Sequence, residues 1–134
     1  MDVTQQSPAN GAIDVEKETP VVILFTDDVQ VVKSSIVITV RGQSVYTGAA
    51  NQFAAGYGQS TITPNATNGY DVSIVPDRAQ YWGDGERISV YAEAEDNSSN
   101  QDSNLAEFYG EERNPFLKIY PMLIKSIRQQ DEQG

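Results

Sequence analysis

The chain has 134 residues and a net charge of −10, from 19 acidic and 9 basic side chains. This length suits one domain with a modest core, and the charge disfavours nucleic acid and anionic lipid as partners. The chain holds neither cysteine nor histidine, which excludes disulfides, thiolate chemistry, histidine-based catalytic triads and imidazole metal ligands.

The start of the chain carries no recognisable targeting signal. Residues 1–6 read MDVTQQ, without the basic n-region or the apolar h-region of a secretory signal peptide. The longest apolar run, from Val21 to Phe25, is far too short to span a bilayer. We therefore expect no membrane insertion. The chain either stays in the cytoplasm where it is made or is a piece cut from a longer exported protein.

The first half of the chain predicts short strands separated by turns. Residues 7–12 form a turn-rich lead-in. The apolar and β-branched run at residues 19–26 predicts a buried strand. Residues 35–41 alternate between apolar and polar and predict a second strand. Residues 42–43 are then expected to turn the chain into a partner strand at 44–47.

The second half continues the pattern after a long loop at residues 48–60. Short strands are predicted at residues 61–63 and 70–75, and the cleanest alternation in the chain predicts a half-buried strand at 87–95. A polar loop then leads to a last strand at 105–109. About seven short strands without a long helical pattern predict an all-β antiparallel sandwich.

The C-terminal part differs from the rest because it is dense in large apolar groups. Eight of them are the candidate partner-binding residues: Phe116, Leu117, Ile119, Tyr120, Met122, Leu123, Ile124 and Ile127. An exposed patch of this size is typical of an interaction site. The alternative is that the segment folds back on its own domain. We favour the partner surface.

Two conformations fit the same segment. Pro115 could open a helix, which Pro121 would then kink. Alternatively, residues 116–120 are extended and Pro121 opens a short helix that reaches about Gln130. We prefer the second, in which Leu123, Ile124 and Ile127 share one face. A helix this short needs a surface to dock on.

Two separated stretches resemble the bacterial immunoglobulin-like (Ig-like) domain family. The first reads SPANGAIDV at residues 7–15 and TPVVILFTDDV at 19–29; the second reads GDGERISVYAEAEDNSSN at 83–100. They match the family's opening motif and strand, and its closing strand and turn. Where the family's closing turn has a glycine, this chain has Ser99. The resemblance covers residues 6–109.

The resemblance implies an Ig-like antiparallel β-sandwich, which we place at residues 1–110. Residues 111–134 lie outside the resemblance, and we expect them to form a C-terminal attachment arm with a short helix or an extended form. Such domains occur in structural proteins of bacteriophage tails, necks, baseplates and capsid decoration. They also occur in bacterial surface proteins. We expect a virion protein, assembled in the host cytoplasm, whose partners are other virion proteins or further copies of itself. The alternative is a module of a surface adhesin that binds a glycan or a protein at the bacterial cell surface.

An oxygen-rich cluster follows the strand predicted at residues 87–95. Its members are Glu95, Asp96, Asn97, Asn100 and Asp102. Calcium takes six to eight oxygen ligands from loops of this kind. This cluster lacks the regular spacing of a calcium loop, so we favour a solvated turn and expect no cofactor.

Aromatic side chains offer a candidate glycan-binding surface. Tyr81 and Trp82 are adjacent and precede a Gly-Asp-Gly sequence, while Phe53 and Tyr57 stand in the long loop. Exposed aromatic rings beside acidic groups are common sugar-binding surfaces. We favour the other interpretation, in which Trp82 closes one end of the core.

One pair of carboxylates has the spacing to be considered for catalysis. Glu93 and Glu95 lie two residues apart on one strand, hence on one face, and paired carboxylates can hydrolyse glycosidic bonds. On an exposed strand face, such glutamates are far more often surface charge. We therefore expect a protein that is not an enzyme.

Overall fold

A computed structural model describes residues 1–112 of the chain. Short 3-10 turns occur at Lys33–Ser35 and Arg78–Gln80, and the rest of the regular structure is β. The strands of this part of the chain are β1 (Asp2–Ser7), β2 (Val21–Thr26), β3 (Val37–Val40), β4 (Gln43–Thr47), β5 (Gln52–Phe53), β6 (Thr61–Pro64), β7 (Tyr70–Ile74), β8 (Arg87–Glu95) and β9 (Gln101–Tyr109).

The strands form two antiparallel sheets that pack face to face. One sheet has the order β1-β2-β7-β6, and the other has the order β5-β4-β3-β8-β9. The predicted all-β antiparallel sandwich is therefore confirmed. Four strands facing five, connected in this order, correspond to the arrangement of variable-type immunoglobulin sandwiches.

Residues 1–112 form nine strands where about seven were predicted. The two that the sequence pattern did not indicate are β1 and β5. Strand β1 is polar, and only Val3 in it is buried, whereas β5 is two residues long. Strand β9 also begins at Gln101 instead of residue 105, because Gln101 pairs with Glu95 and continues the β8–β9 hairpin to its end.

The core is made by alternate residues of the facing strands. In β8 every second side chain from Ile88 to Ala94 is buried, as the alternation predicted. In β2 only alternate positions are buried, so the prediction of a fully buried strand holds for one face alone: Val22 and Leu24 point outward and are partly exposed. Each fully buried aliphatic or aromatic side chain contributes about 1.5–3 kcal/mol. The largest fully buried side chains are Trp82, Tyr46, Phe25, Phe108, Ile23, Ile36, Ile38, Ile74 and Ile88.

The β3–β4 hairpin turns one residue earlier than predicted. Its central residues are Arg41 and Gly42, with φ of 56° and 76°. Two consecutive positive φ values are the signature of the primed turns whose twist matches a hairpin. The prediction of a turn at Gly42 and Gln43 is wrong by one position, and the consequence is that Arg41 becomes a turn residue.

The segment that follows β1 crosses to the other sheet and covers the C-terminal half of β9. The N–H of Gly11 donates to the carbonyl of Glu107 (2.7 Å), and the N–H of Tyr109 donates to the carbonyl of Ala12 (2.8 Å). Val15 then forms a parallel bridge with Gly110. These contacts occupy an edge that would otherwise be open to another chain.

Candidate functional site

Three connections meet at the end of the sandwich where the described chain begins, and we call this end the loop pole. They are the β2–β3, β6–β7 and β8–β9 connections. The N–H of Asp27 donates to the carbonyl of Thr67 (3.1 Å), and the N–H of Val31 donates to the carbonyl of Asn68 (2.8 Å). The loops therefore hold one another, which is how a sandwich presents a binding surface on a rigid scaffold.

Asp27 organises the first of these loops. Its Oδ2 accepts the N–H groups of Val29 (3.0 Å) and Gln30 (2.9 Å), and its Oδ1 lies 3.1 Å from the amino nitrogen of Met1. The N–H of Val29, followed by that of Gln30 and the Met1 ammonium, holds the pKa of Asp27 below its ordinary value. The carboxylate is thus ionised and committed to the loop.

The predicted oxygen cluster lies at the same pole, but its carboxylates serve the backbone. Asp96 Oδ1 accepts the N–H groups of Ser98 (2.8 Å) and Asn100 (2.9 Å), and Oδ2 accepts the side-chain amide of Asn100 (3.0 Å). The Asn100 side chain is the main reason why the pKa of Asp96 is lowered. Asp102 Oδ2 accepts the N–H of Val3 (2.8 Å).

These contacts favour the solvated-turn interpretation over the calcium interpretation. The described residues contain no group of three or more acidic side chains placed to hold a metal ion. Asp96 and Asn100 form the turn itself, whereas Asp102 faces β1. Calcium binding by Glu95, Asp96, Asn97, Asn100 and Asp102 remains an untested prediction.

Arg41 is the centre of a polar cluster at the opposite end, which we call the exit pole. Its guanidinium forms a two-pronged ion pair with Glu86, with Nε 2.8 Å from Oε2 and Nη2 2.9 Å from Oε1. Nη1 donates to the hydroxyl of Tyr57 (3.2 Å). The guanidinium carbon lies 4.9 Å from the centre of the Trp82 ring, which is within the range of a cation–π contact.

Glu86 extends this cluster to the backbone. Its Oε1 also accepts the N–H of Gly83 (2.8 Å). The hydrogen bonds from Arg41 hold the pKa of Glu86 below its ordinary value, with the N–H of Gly83 acting in the same direction. The contact between these two charged residues was not predicted from the sequence, because they stand 45 positions apart and only the fold brings them together. The two glycines around Asp84 were the only local signal of a tight turn there.

Trp82 closes the core at the exit pole, as the favoured interpretation predicted. Its side chain is fully buried, its Nε1 donates to the carbonyl of Thr19 (2.8 Å), and its ring meets Phe108 edge-on with 5.3 Å between centres. Tyr57 is buried as well. The glycan-binding interpretation is therefore wrong for Trp82 and Tyr57, since a sugar cannot reach either ring.

The other two aromatic candidates are partly exposed but lie apart. Tyr81 has the amino group of Lys17 5.7 Å from its ring centre. Phe53 stacks on Tyr46 with 4.6 Å between ring centres, at the β5 edge. The structure therefore does not bring Tyr81, Trp82, Phe53 and Tyr57 together as one open surface.

The glutamate pair lies on the outward face of β8, as predicted. Glu93 Oε2 accepts the hydroxyl of Tyr91 (3.0 Å) and the side-chain amide of Gln101 (2.8 Å). This is a set of surface polar contacts on a strand face. The expectation that the protein is not an enzyme stays a prediction.

The described chain leaves the sandwich at the exit pole. The N–H of Glu111 donates to the carbonyl of Val15 (2.7 Å) and the N–H of Gly85 donates to the carbonyl of Glu111 (3.4 Å). The next carbonyls along this edge are occupied: that of Glu16 accepts from Thr19, and that of Lys17 accepts from Trp82. Within residues 1–112, Glu111 is the last residue with a backbone hydrogen bond to this edge. The predicted boundary at residue 110 stays a prediction.

The predicted partner surface falls outside the described residues. It comprises Phe116, Leu117, Ile119, Tyr120, Met122, Leu123, Ile124 and Ile127. Within residues 1–112, no helix has the length and apolar character needed to cross a membrane. Comparison of the chain with protein families, with curated proteins and with solved structures finds no match.

Proposed function

We propose that the protein is a non-enzymatic structural module of a bacteriophage particle, in a tail, neck, baseplate or capsid decoration. It is attached through residues 111–134, and the sandwich is the exposed lobe. The observation that carries the proposal is the contrast between a sandwich that closes its own ends and edges and a following segment with eight large apolar side chains. Apolar groups at that density need a surface to cover them.

The edges of the sandwich are poorly suited to pairing with another chain. Strand β6 is short and ends at Pro64, and β5 spans two residues. Residues 11–15 cover the C-terminal half of β9. Strand β1 lies against the N-terminal half of β9 through the hydrogen bond between Val3 and Asp102. Short, covered or proline-bearing edges are how proteins avoid strand addition. This leaves side-chain surfaces and the C-terminal segment as the means of attachment.

The runner-up is a module of a bacterial surface adhesin. The loop pole favours it, because three interlocked connections present Asn and Asp side chains on a rigid base, which suits the binding of a protein or a glycan. In both proposals nucleic acid is an unsuitable partner for a chain with a net charge of −10, and no cofactor is required.

Immunogold electron microscopy of cells that carry the gene, and of the particles they release, tests the proposal directly. We expect label on released particles, at one consistent place on each particle. Label on cell envelopes with bare particles would overturn the virion proposal in favour of the adhesin. Label on neither would overturn both.

A further inference from the structure

The four-stranded sheet presents an apolar strip on its outer side. We call it the outer β2 face: Val22 and Leu24 on β2, with Thr4 of β1 and Asp71 of β7 on either side of Leu24 and Ser73 of β7 opposite Val22. Val22 and Leu24 are partly exposed. A continuous apolar run such as that of β2 is typical of a strand covered on both faces, and here the core covers only one.

The outer side of the five-stranded sheet is different. Arg87 pairs with Glu107 across β8 and β9, and Glu93 accepts hydrogen bonds from Tyr91 and Gln101. Leu105 is 71% exposed on this side, but it stands beside Arg87 and these other charged and hydrogen-bonded side chains, which suit contact with water and would repel a basic segment at Arg87. Of the two outer sheet sides, the outer β2 face is therefore the better candidate for a covered surface.

Charge identifies what would cover it. The strands of the four-stranded sheet carry Asp2 and Asp71 and no basic side chain. Residues 1–112 hold 17 of the 19 acidic but only five of the nine basic side chains, a net charge of −12. Residues 113–128 hold the other four basic side chains, no acidic one, and all eight residues of the predicted partner surface. The segment thus complements the sheet in both apolar character and charge.

The direction of the chain at its exit favours a neighbour over the same sandwich. Strand β9 runs from the loop pole to the exit pole. The bonds of Gly110 to Glu86 and of Glu111 to Val15 carry the same direction to the end of the described chain. The described chain therefore ends heading away from its own outer β2 face.

We propose that residues 113–128 of one copy bind the outer β2 face of a second copy. The inference rests on the proposed function, because it takes the C-terminal segment as the means of attachment and names the partner as the chain itself. Leu24 is the central contact, with apolar side chains of the segment against it. The basic side chains of the segment lie toward Asp2 and Asp71.

Sedimentation of the full chain over a range of concentrations tests the proposal. The key variant is Leu24→Lys, which places a cation on the outer β2 face. The control is Leu105→Lys, on the outer side of the other sheet, where Leu105 is 71% exposed. We expect the native chain and the control to associate alike, and Leu24→Lys to associate at least about tenfold more weakly, since a buried leucine contributes more than that factor.

Two further variants keep the result interpretable. Thr4→Lys alters the same face at an exposed position, so it tests the face even if Leu24→Lys unfolds. The double variant Leu123→Asp with Ile127→Asp alters the segment alone. We expect both to weaken association of the full chain.

Two results would overturn the proposal. If only the Leu123 and Ile127 variant weakens association, the segment attaches but not to the outer β2 face. If the native chain is a monomer at every concentration, its partner is not a second copy. In either case the immunogold result still decides the proposed function separately, so the two failures are distinguishable.

Discussion

The ion pair between Arg41 and Glu86 joins the β3–β4 turn to the connection before β8, and we predict that it stabilises the sandwich more than the ion pair between Arg87 and Glu107. The perturbation we choose is Glu86→Gln, which keeps the size of the side chain and an acceptor for the N–H of Gly83 but removes the charge. Arg41 then keeps its charge, and its side chain is only 23% exposed. An amide nitrogen replaces one of the two Glu86 carboxylate oxygens that accept hydrogen bonds from Arg41.

The magnitude follows from the degree of burial. Removing one partner of a fully buried pair costs about 3–5 kcal/mol, whereas exposed pairs contribute about 0–1 kcal/mol. Glu86 is 35% exposed, so water screens part of the interaction. We therefore expect Glu86→Gln to lower the free energy of unfolding by about 2 kcal/mol. The matched control is Glu107→Gln, whose partner Arg87 is 68% exposed, and we expect a clearly smaller loss there because water screens an exposed ion pair.

Urea unfolding followed by the fluorescence of Trp82, the only tryptophan of the chain, measures both losses. Because the pKa of Glu86 is lowered in the folded protein, its contribution is complete above the ordinary pKa of 4.5. It is lost as the pH falls through the lower folded value. The difference between native protein and Glu86→Gln should therefore shrink below about pH 4.5. Equal losses for Glu86→Gln and Glu107→Gln at neutral pH would refute this reasoning.

Four other substitutions test the rest of the sandwich. Trp82→Ala should lower the free energy of unfolding by about 3–5 kcal/mol, since it empties the end of the core; its urea unfolding is followed by circular dichroism, because the variant has no tryptophan. Gly69→Ala should cost at least about 2 kcal/mol, because its Cβ would lie 1.7 Å from the carbonyl oxygen of Phe25. Gly58→Ala, with open space around it, should change stability by less than about 0.5 kcal/mol. Asp96→Ala should lower the thermal midpoint by removing the acceptor of its turn, and calcium should leave the native midpoint unchanged. A rise with calcium that Asp96→Ala abolishes would restore the metal interpretation.

The strands that could be predicted are those in which buried and exposed residues alternate along the chain. Strand β8 is the clearest case, since each apolar residue from Ile88 to Ala94 faces the core and its neighbours face outward. Strand β1 could not be found in this way, because Val3 is its only buried residue and its place depends on pairing with β2. The first half of β9 is polar for a similar reason: it forms a hairpin with β8 but covers no core.

The residues of the exit pole show a second limit of the sequence pattern. The position of Trp82 was predicted because a lone large aromatic among turn residues commonly fills a core end. Arg41 and Glu86 were not, because their contact depends on the β3–β4 turn and the connection before β8 coming together. A charged residue after an apolar strand looks the same in sequence whether it points into water or across a buried ring. The positive φ of Arg41 and the position of its guanidinium 4.9 Å from the Trp82 ring centre are properties of the folded turn.

The uneven distribution of charge gives the proposed attachment a second test. Two sandwiches of net charge −12 repel each other, and contact between residues 113–128 and a sandwich is the pairing of opposite sign that the chain offers. Salt weakens that attraction, since screening acts over about 8 Å at physiological ionic strength, whereas the burial of Leu24 and its partners is not weakened in this way. We expect association of the full chain to weaken moderately from low to physiological salt and then to level off. A loss that continues without a plateau would mean that charge alone holds the copies together, and Leu24→Lys would then act only through its charge. Leu24→Thr separates the two cases, because it removes apolar surface and leaves the charge unchanged.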